Sequence, residues 1–360
     1  MSRKPQQKLR QGWTTGACAT AATRAALTAL VTGEFPDPVT ITLPKGQTPA
    51  FALAREERQE DWASASIIKD AGDDPDVTHQ ALITSTVRFG GQGSGIIFKA
   101  GKGVGMVTKA GLPIAPGEPA INPVPRLMMQ QVIEEIALKH NVSNDVEIEI
   151  SVADGEKLAL KTWNPRLGII GGLSILGTTG IVHPFSCSAW IHSIHSGIDV
   201  ARANDFDHVA AATGSTSEAV VKKLYNLPDF ALIDMGDFAG GMLKYLRKNP
   251  VVKVTIAGGF GKLTKLAQGY LDLHSGRSQV SFDWLADAVG YVGGSSELQE
   301  HARHANTAME VLTIAQNHEP SLAQYVAEKA RTTALSALRG APIEVEVIVI
   351  DRNGGIVGRA

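Results

Sequence analysis

Beyond residue 167, continuous apolar runs alternate with helical stretches, and most runs end in a glycine-bearing turn. The runs are 167–172, 209–213, 231–235 and 251–257, and the helical stretches lie at 186–203, 217–225, 239–248 and 262–268. A strand that is apolar at every position must be covered on both faces, and helices between such strands supply the cover. The pattern predicts a mainly parallel sheet in a Rossmann-like domain over residues 161–360. Helical stretches at 282–289, 296–316 and 321–338 and a last strand at 343–350 complete it.

The first half has another rhythm. A helix over 14–32, stopped by Gly33 and closed by Pro36 and Pro38, precedes β-rich runs at 39–43, 50–55, 63–69, 77–87 and 95–100. A helix over 125–139 and a strand over 146–152 follow. Residues 1–160 therefore read as an α+β domain, and the chain as α/β and α+β in two domains.

With Lys+Arg 34 against Asp+Glu 36 in 360 residues, no global charge steers the chain toward nucleic acid or an anionic membrane. Any anion it binds must meet a local cluster. Two cysteines, Cys18 and Cys187, suit a reducing compartment, so a cytoplasmic protein is expected. The basic residues Arg3, Lys4, Lys8 and Arg10 before an alanine-rich run imitate a secretion signal, but Arg24 and the threonines within the run argue for a buried helix. Glycines and Pro184 interrupt the best candidate membrane span, 167–185.

Four stretches could carry chemistry. Thr14 and Thr15 open the first helix, whose free amides favour an anion, although a threonine there also serves as an ordinary cap. Asp70, Asp73, Asp74 and Asp76 crowd four carboxylates into seven residues without the glycine and glutamate spacing of a calcium loop. They form either a solvated turn or a set containing a general base or a substrate acceptor. The window 88–126 holds nine glycines and five basic residues against one acid, with Lys102, Lys109 and Arg126 as candidate anion ligands. Lys99 reads as a surface lysine. At its end three prolines frame Glu118, Asn122 and Arg126, either to preorganise them or as a rigid connector. Finally, an open parallel sheet binds ligands at the carboxyl ends of its strands. That edge is expected to gather Gly171, Gly172, Thr178 and Thr179, then Gly214 and Ser215, then Asp234 and Gly236, then Gly258 and Gly259, around a nucleotide-like ligand. His192 and His195 read as structural, and no metal site is expected.

The stretches GWTTGACATAA, DAGDDPDVT, GKGVGMVTKAGL, GEPAINPVPR and GGLSILGTTGIVHP together resemble the CbiD family of cobalt-precorrin-5B (C-1)-methyltransferases, over nearly the whole chain. Trp13 stands where the family pattern suggests tyrosine, and Ala110 where it suggests proline. The resemblance implies an enzyme of the anaerobic route to cobalamin that uses S-adenosylmethionine to methylate ring carbon C-1 and give cobalt-precorrin-6A, with cobalt arriving inside the substrate. The carboxylate-fringed macrocycle would meet Thr14, Thr15, Asp76, Lys102, Lys109, Glu118, Asn122 and Arg126. The methyl donor would lie on the strand ends of the second domain, with the active site in a cleft between the domains. Should the reaction need a base, Asp73, Asp74 and His183 are the candidates. The resemblance leaves room for a homo-oligomer and for contact with neighbouring cobalamin-pathway enzymes. Two other readings stay open, an NAD-dependent oxidoreductase and a non-catalytic corrinoid carrier.

Overall fold

The structure, a computed structural model, describes residues 9–315 and 321–360. Arg3, Lys4, Lys8 and Gln316 lie outside the described residues. The chain divides into two compact units, 1–186 and 187–360.

In the first unit, helix α1 (Thr15–Thr32) begins at a Thr14 cap and ends at Gly33, whose φ of 90° suits a residue without a Cβ. Ala17, Ala21, Ala22, Ala25 and Ala26 are buried, so neighbours approach the helix closely. Thr23 fits the same surroundings because its hydroxyl donates to the Ala19 carbonyl and meets Ser85 Oγ, each at 2.8 Å. Arg24 reaches Glu135 at 2.7 Å on helix α2 (Pro123–His140). Both helices belong to a core that includes one face of a five-stranded sheet.

That sheet comprises β1 (Arg55–Arg58), β2 (Trp62–Ile68), β3 (Leu82–Phe89), β4 (Ile96–Ala100) and β5 (Val146–Val152), in the order β1-β2-β3-β5-β4. All pairs are antiparallel except β5 with β4. The edge strand β1, Arg-Glu-Glu-Arg, is wholly exposed and offers no apolar period to read. The strand expected at 77–87 starts only at Leu82. Asp76 Oδ1 accepts from the Thr78 amide and hydroxyl, and Gln80 has a φ of 65°, so the intervening residues form a turn.

Residues 167–172 do not form the first strand of the parallel sheet, which corrects the sequence expectation. They form short strands in the first unit: Ile169–Ile170 pairs with Met106–Val107, and Gly172–Leu173 pairs with Gly103–Val104. Ile181–Val182 pairs with Gly12–Trp13. The division expected at 160/161 therefore falls at 186/187.

The second unit contains helix α3 (Cys187–Ala203), then β6 (His208–Ala212), α4 (Ser215–Tyr225), β7 (Leu232–Asp234), α5 (Ala239–Leu246), β8 (Lys253–Gly259) and α6 (Phe260–Ala267). After α7 (Phe282–Tyr291), α8 (Ser296–His304), α9 (Ala308–Ile314) and α10 (Leu322–Leu338) come β9 (Glu344–Ile350) and β10 (Ile356–Arg359). The sheet order is β7-β6-β8-β9-β10, parallel except for the antiparallel edge β10. Val209, Ile233, Val254 and Val347 face one core and Ala210, Leu232, Ala257 and Ile348 the other, which explains why the strands are apolar throughout.

The single helix expected over 296–316 is two. Thr307 Oγ1 accepts from the Glu310 amide at 3.1 Å, and Glu310 Oε2 accepts from the Asn306 amide at 2.9 Å, a reciprocal cap that starts a new helix. Among the described residues no helix is long and apolar enough to cross a membrane.

Candidate functional site

In the first unit, pairing of Gly12–Trp13 with Ile181–Val182 draws together three segments far apart in sequence. Trp13 donates its amide to the Asp70 carbonyl at 2.7 Å. Asp73 Oδ2 accepts from the Arg10 amide at 2.6 Å, and Asp74 Oδ1 accepts from the Phe185 amide at 2.8 Å. His183 Nδ1 lies 3.0 Å from Gln11 Nε2. The three residues expected to handle a proton thus share one neighbourhood. Asp70 beside them holds the Arg10 guanidinium, and that hydrogen bond lowers its carboxyl to about 2.

Several expected ligands instead serve the fold. Thr14 Oγ1 caps α1 by accepting from the Ala17 amide at 3.1 Å. Thr15 Oγ1 donates to the Leu176 carbonyl and accepts from the Leu176 amide, while the Gly16 amide donates to the same carbonyl, so the Thr15 hydroxyl is engaged within the unit. Asp76 balances Lys69, a lysine only 1% exposed, with Nζ to Oδ2 at 2.7 Å. Burial alone would raise the Asp76 carboxyl, but the Lys69 charge and the hydrogen bonds from Lys69 and Thr78 leave it lowered. Arg126 braces the proline loop, donating to the carbonyls of Ile121 and Pro119 and pairing with Glu118 at 3.1 Å. Arg88 and Lys99 both lie against Glu147.

Two of the window's cations thus share Glu147 on β5 and a third pairs with Glu118 inside the window itself, so the window keeps a net positive charge. Lys102 remains exposed and forms no ion pair among the described residues, and Asn122 is half-buried at the start of α2 without capping it. Lys109 packs its stem over Gly168. Two glycines of this window, Gly103 and Gly105, receive the chain's own backbone, and from the other side a Cβ on Gly172 would lie 2.2 Å from the Gly103 carbonyl oxygen. Gly171, Gly172, Thr178 and Thr179 consequently belong to the first unit, and Thr179 Oγ1 bridges to Ile181 within its own turn.

The remaining strand-end residues do gather in the second unit. Strand order reverses between β6 and β8, and the turns after both strands meet there. The Thr213 amide donates to the Ala257 carbonyl, and the Gly236 amide donates to the Ala212 carbonyl. Gly236 has a φ of 55°, a left-handed turn that brings the end of β7 alongside. A Cβ on Gly214 or Gly259 would meet nothing within 4 Å. Trp190 on α3 donates its indole N–H to the Asp234 carbonyl at 3.0 Å.

Thr213, Asp237 and Lys262 also stand at this edge, the last two at the ends of the strand-end runs 234–237 and 258–262. Lys262 Nζ donates to the Thr213 carbonyl at 2.9 Å and stands 3.1 Å from Asp237 Oδ1. That buried oxygen has no hydrogen bond among the described residues. Their position just after apolar strands is the signal that marks them in the sequence. Of the two histidines expected to be structural, His195 stacks on Tyr245 with ring centroids 3.9 Å apart, whereas His192 is exposed. Among the described residues no three His, Cys, Asp or Glu side chains are disposed to hold a metal ion.

The family model CbiD matches residues 2–184, and that of CbiD, C-terminal domain, matches residues 272–360. The chain is 63% identical to a Brucella canis protein named cobalt-precorrin-5B C(1)-methyltransferase, over 98% of this chain and 96% of that one. A Brucella anthropi protein of the same name is 61% identical, over 99% and 97%. The solved structure of a cobalamin biosynthesis protein (cbiD) from Archaeoglobus fulgidus is 29% identical, covers 75% of this chain and 83% of that one, and superposes with a TM-score of 0.40.

Proposed function

The chain belongs to the CbiD family, and on that premise we propose that it methylates C-1 of cobalt-precorrin-5B in cobalamin biosynthesis, with S-adenosylmethionine as the donor. The observation that carries this reading is similarity to C(1)-methyltransferases over 98–99% of the chain. The enzyme acts on a small-molecule cobalt-corrinoid in the cytoplasm, and cobalt belongs to the substrate.

The second unit is the Rossmann-like part of this reading, and its switch-point edge fits an adenosyl donor. Gly214 and Gly259 leave the backbone open to close approach, and the Lys262–Asp237 ion pair, 3.1 Å, stands beside them. Thr213, Gly214, Asp234, Gly236, Asp237, Gly258 and Gly259 would hold it. When bound, the donor supplies an electrophilic methyl group on a sulfonium. The residues then serve mainly to orient, a contribution of roughly 7 to 11 kcal/mol in well-aligned reactions.

On the first unit, Lys102, Lys109 and Asn122 hold carboxylates or amides of the macrocycle. Asp74 and His183 manage any proton released, Asp74 being fixed by the Phe185 amide and His183 by Gln11. D74N and H183Q variants are expected to fold normally and lose about a hundredfold or more in turnover. Unchanged turnover in both would remove that role.

The deciding experiment is anaerobic incubation with cobalt-precorrin-5B and methyl-labelled S-adenosylmethionine, followed by mass spectrometry. Label in the macrocycle with release of S-adenosylhomocysteine is the expected result. Bound but unlabelled substrate would instead establish a corrinoid carrier.

A further inference from the structure

Where α5 and α10 run beside the turn that follows α6 lies a cavity of about 520 Å³, whose wall includes Lys244, Arg247, Leu271, Thr333, Ser336 and Arg339. The turn lies this close because residue 240 is glycine. Its amide donates to the Leu271 carbonyl at 2.7 Å, and a Cβ there would stand 2.8 Å from Leu271 Cβ. Lys244 and Arg247 are three apart at the end of α5, and Thr333 and Ser336 three apart on α10, so each helix presents a pair to the same space. Both helices end just before the starts of β8 and β9, so the cavity lies toward the amino ends of the strands and away from the switch-point edge.

Every charged residue in this wall is a cation. Among the described residues, Lys244, Arg247 and Arg339 form no ion pair or side-chain hydrogen bond, and the Thr333 and Ser336 hydroxyls form none either. By contrast, Arg24, Arg126, Arg277 and Arg303 are each paired with a carboxylate. The helix dipole favours a cation in the last turn of α5, but it does not require three cations around one acid-free space. Arg339 moreover holds the left-handed C-cap of α10, with a φ of 51°, where glycine or asparagine is the usual choice. Like charges gathered round one cavity repel unless an anion lies among them.

We propose that this cavity is an anion site separate from the donor edge, and that its ligand is a small molecule bearing a phosphate or diphosphate group. The cations come from two helices and the hydroxyls from one of them. A tetrahedral anion with acceptor oxygens on every side can meet donors spread in this way, whereas a carboxylate offers two oxygens in one plane. The cavity is of small-molecule size, so an organic portion can lie against Leu271. The site is independent of the methyl-donor reading.

Calorimetric titration of the full chain with inorganic pyrophosphate at constant ionic strength tests the site, with citrate as a polycarboxylate of similar charge beside it. Pyrophosphate is expected to bind one to one, and about tenfold more tightly than citrate. R247Q and R339Q should each weaken it about tenfold, the loss of one charge-assisted hydrogen bond. K45Q removes the same charge at an exposed position of the first unit and should leave the affinity unchanged. The two arginine substitutions are separate, so one decides if the other fails to fold. No binding of pyrophosphate, binding unchanged in either folded arginine variant, or an equal loss in K45Q overturns the site. Tighter binding of citrate than of pyrophosphate overturns the phosphate assignment.

Discussion

Charge at the level of single residues is governed here by what is buried. Lys69 lies almost wholly out of water, and Asp76 is its counter-ion at 2.7 Å, so D76N leaves an uncompensated ammonium inside the first unit. Its expected cost is about 3 kcal/mol in a denaturant titration, and a loss under about 1 kcal/mol would contradict the pairing. Since the folded Asp76 carboxyl is lowered, its contribution is present above the ordinary aspartate range and disappears as pH falls through the folded value. Asp70 acts in the same sense, its contribution fading between about pH 4 and about 2. The two cysteines differ for a related reason. Burial pushes the Cys18 thiol up to about 12, while Cys187 is exposed. A thiol reagent at pH 8 should therefore label one cysteine per native chain and both only after unfolding; rapid labelling of Cys18 in the native protein would refute its burial.

Among elements, those whose signals are local were legible in the sequence. Helix α1 is announced by a threonine cap and a terminal glycine, and β5 by strict alternation over Val146–Val152, buried at every second residue. The strand β1 was not legible because all four of its residues are exposed. The pairing of Gly172–Leu173 with Gly103–Val104 was not legible either, since it joins segments nearly seventy residues apart through glycine backbones in contact. A valine at 172 cannot fit against the Gly103 carbonyl, so G172V should separate these strands and lower the melting temperature of the first unit. A melt within a degree of wild type would show that the contact is dispensable. In the same way, the candidate proton-handling residues were recognisable by type, but their shared neighbourhood depends on the β-pair between Gly12–Trp13 and Ile181–Val182.

For the molecule as a whole, the choice of boundary makes a direct prediction. Cutting between residues 160 and 161 would part Ile169–Ile170, Gly172–Leu173 and Ile181–Val182 from their partners. Cutting between 186 and 187 leaves each unit with its own apolar clusters. Fragments 1–186 and 187–360 should melt cooperatively in circular dichroism, whereas fragment 1–160 should not; the opposite result would move the boundary back. Periodicity, caps and glycine stops settle what kind of elements this chain forms, and its motifs settle the family, because both operate within a few consecutive residues. Which cations remain available to a ligand, where the glycine-rich 171–180 segment belongs, and that Lys244 and Arg339 meet one cavity were decided only by the folded chain. Charge compensation and burial depend on neighbours brought in from distant sequence, and those leave no local signature.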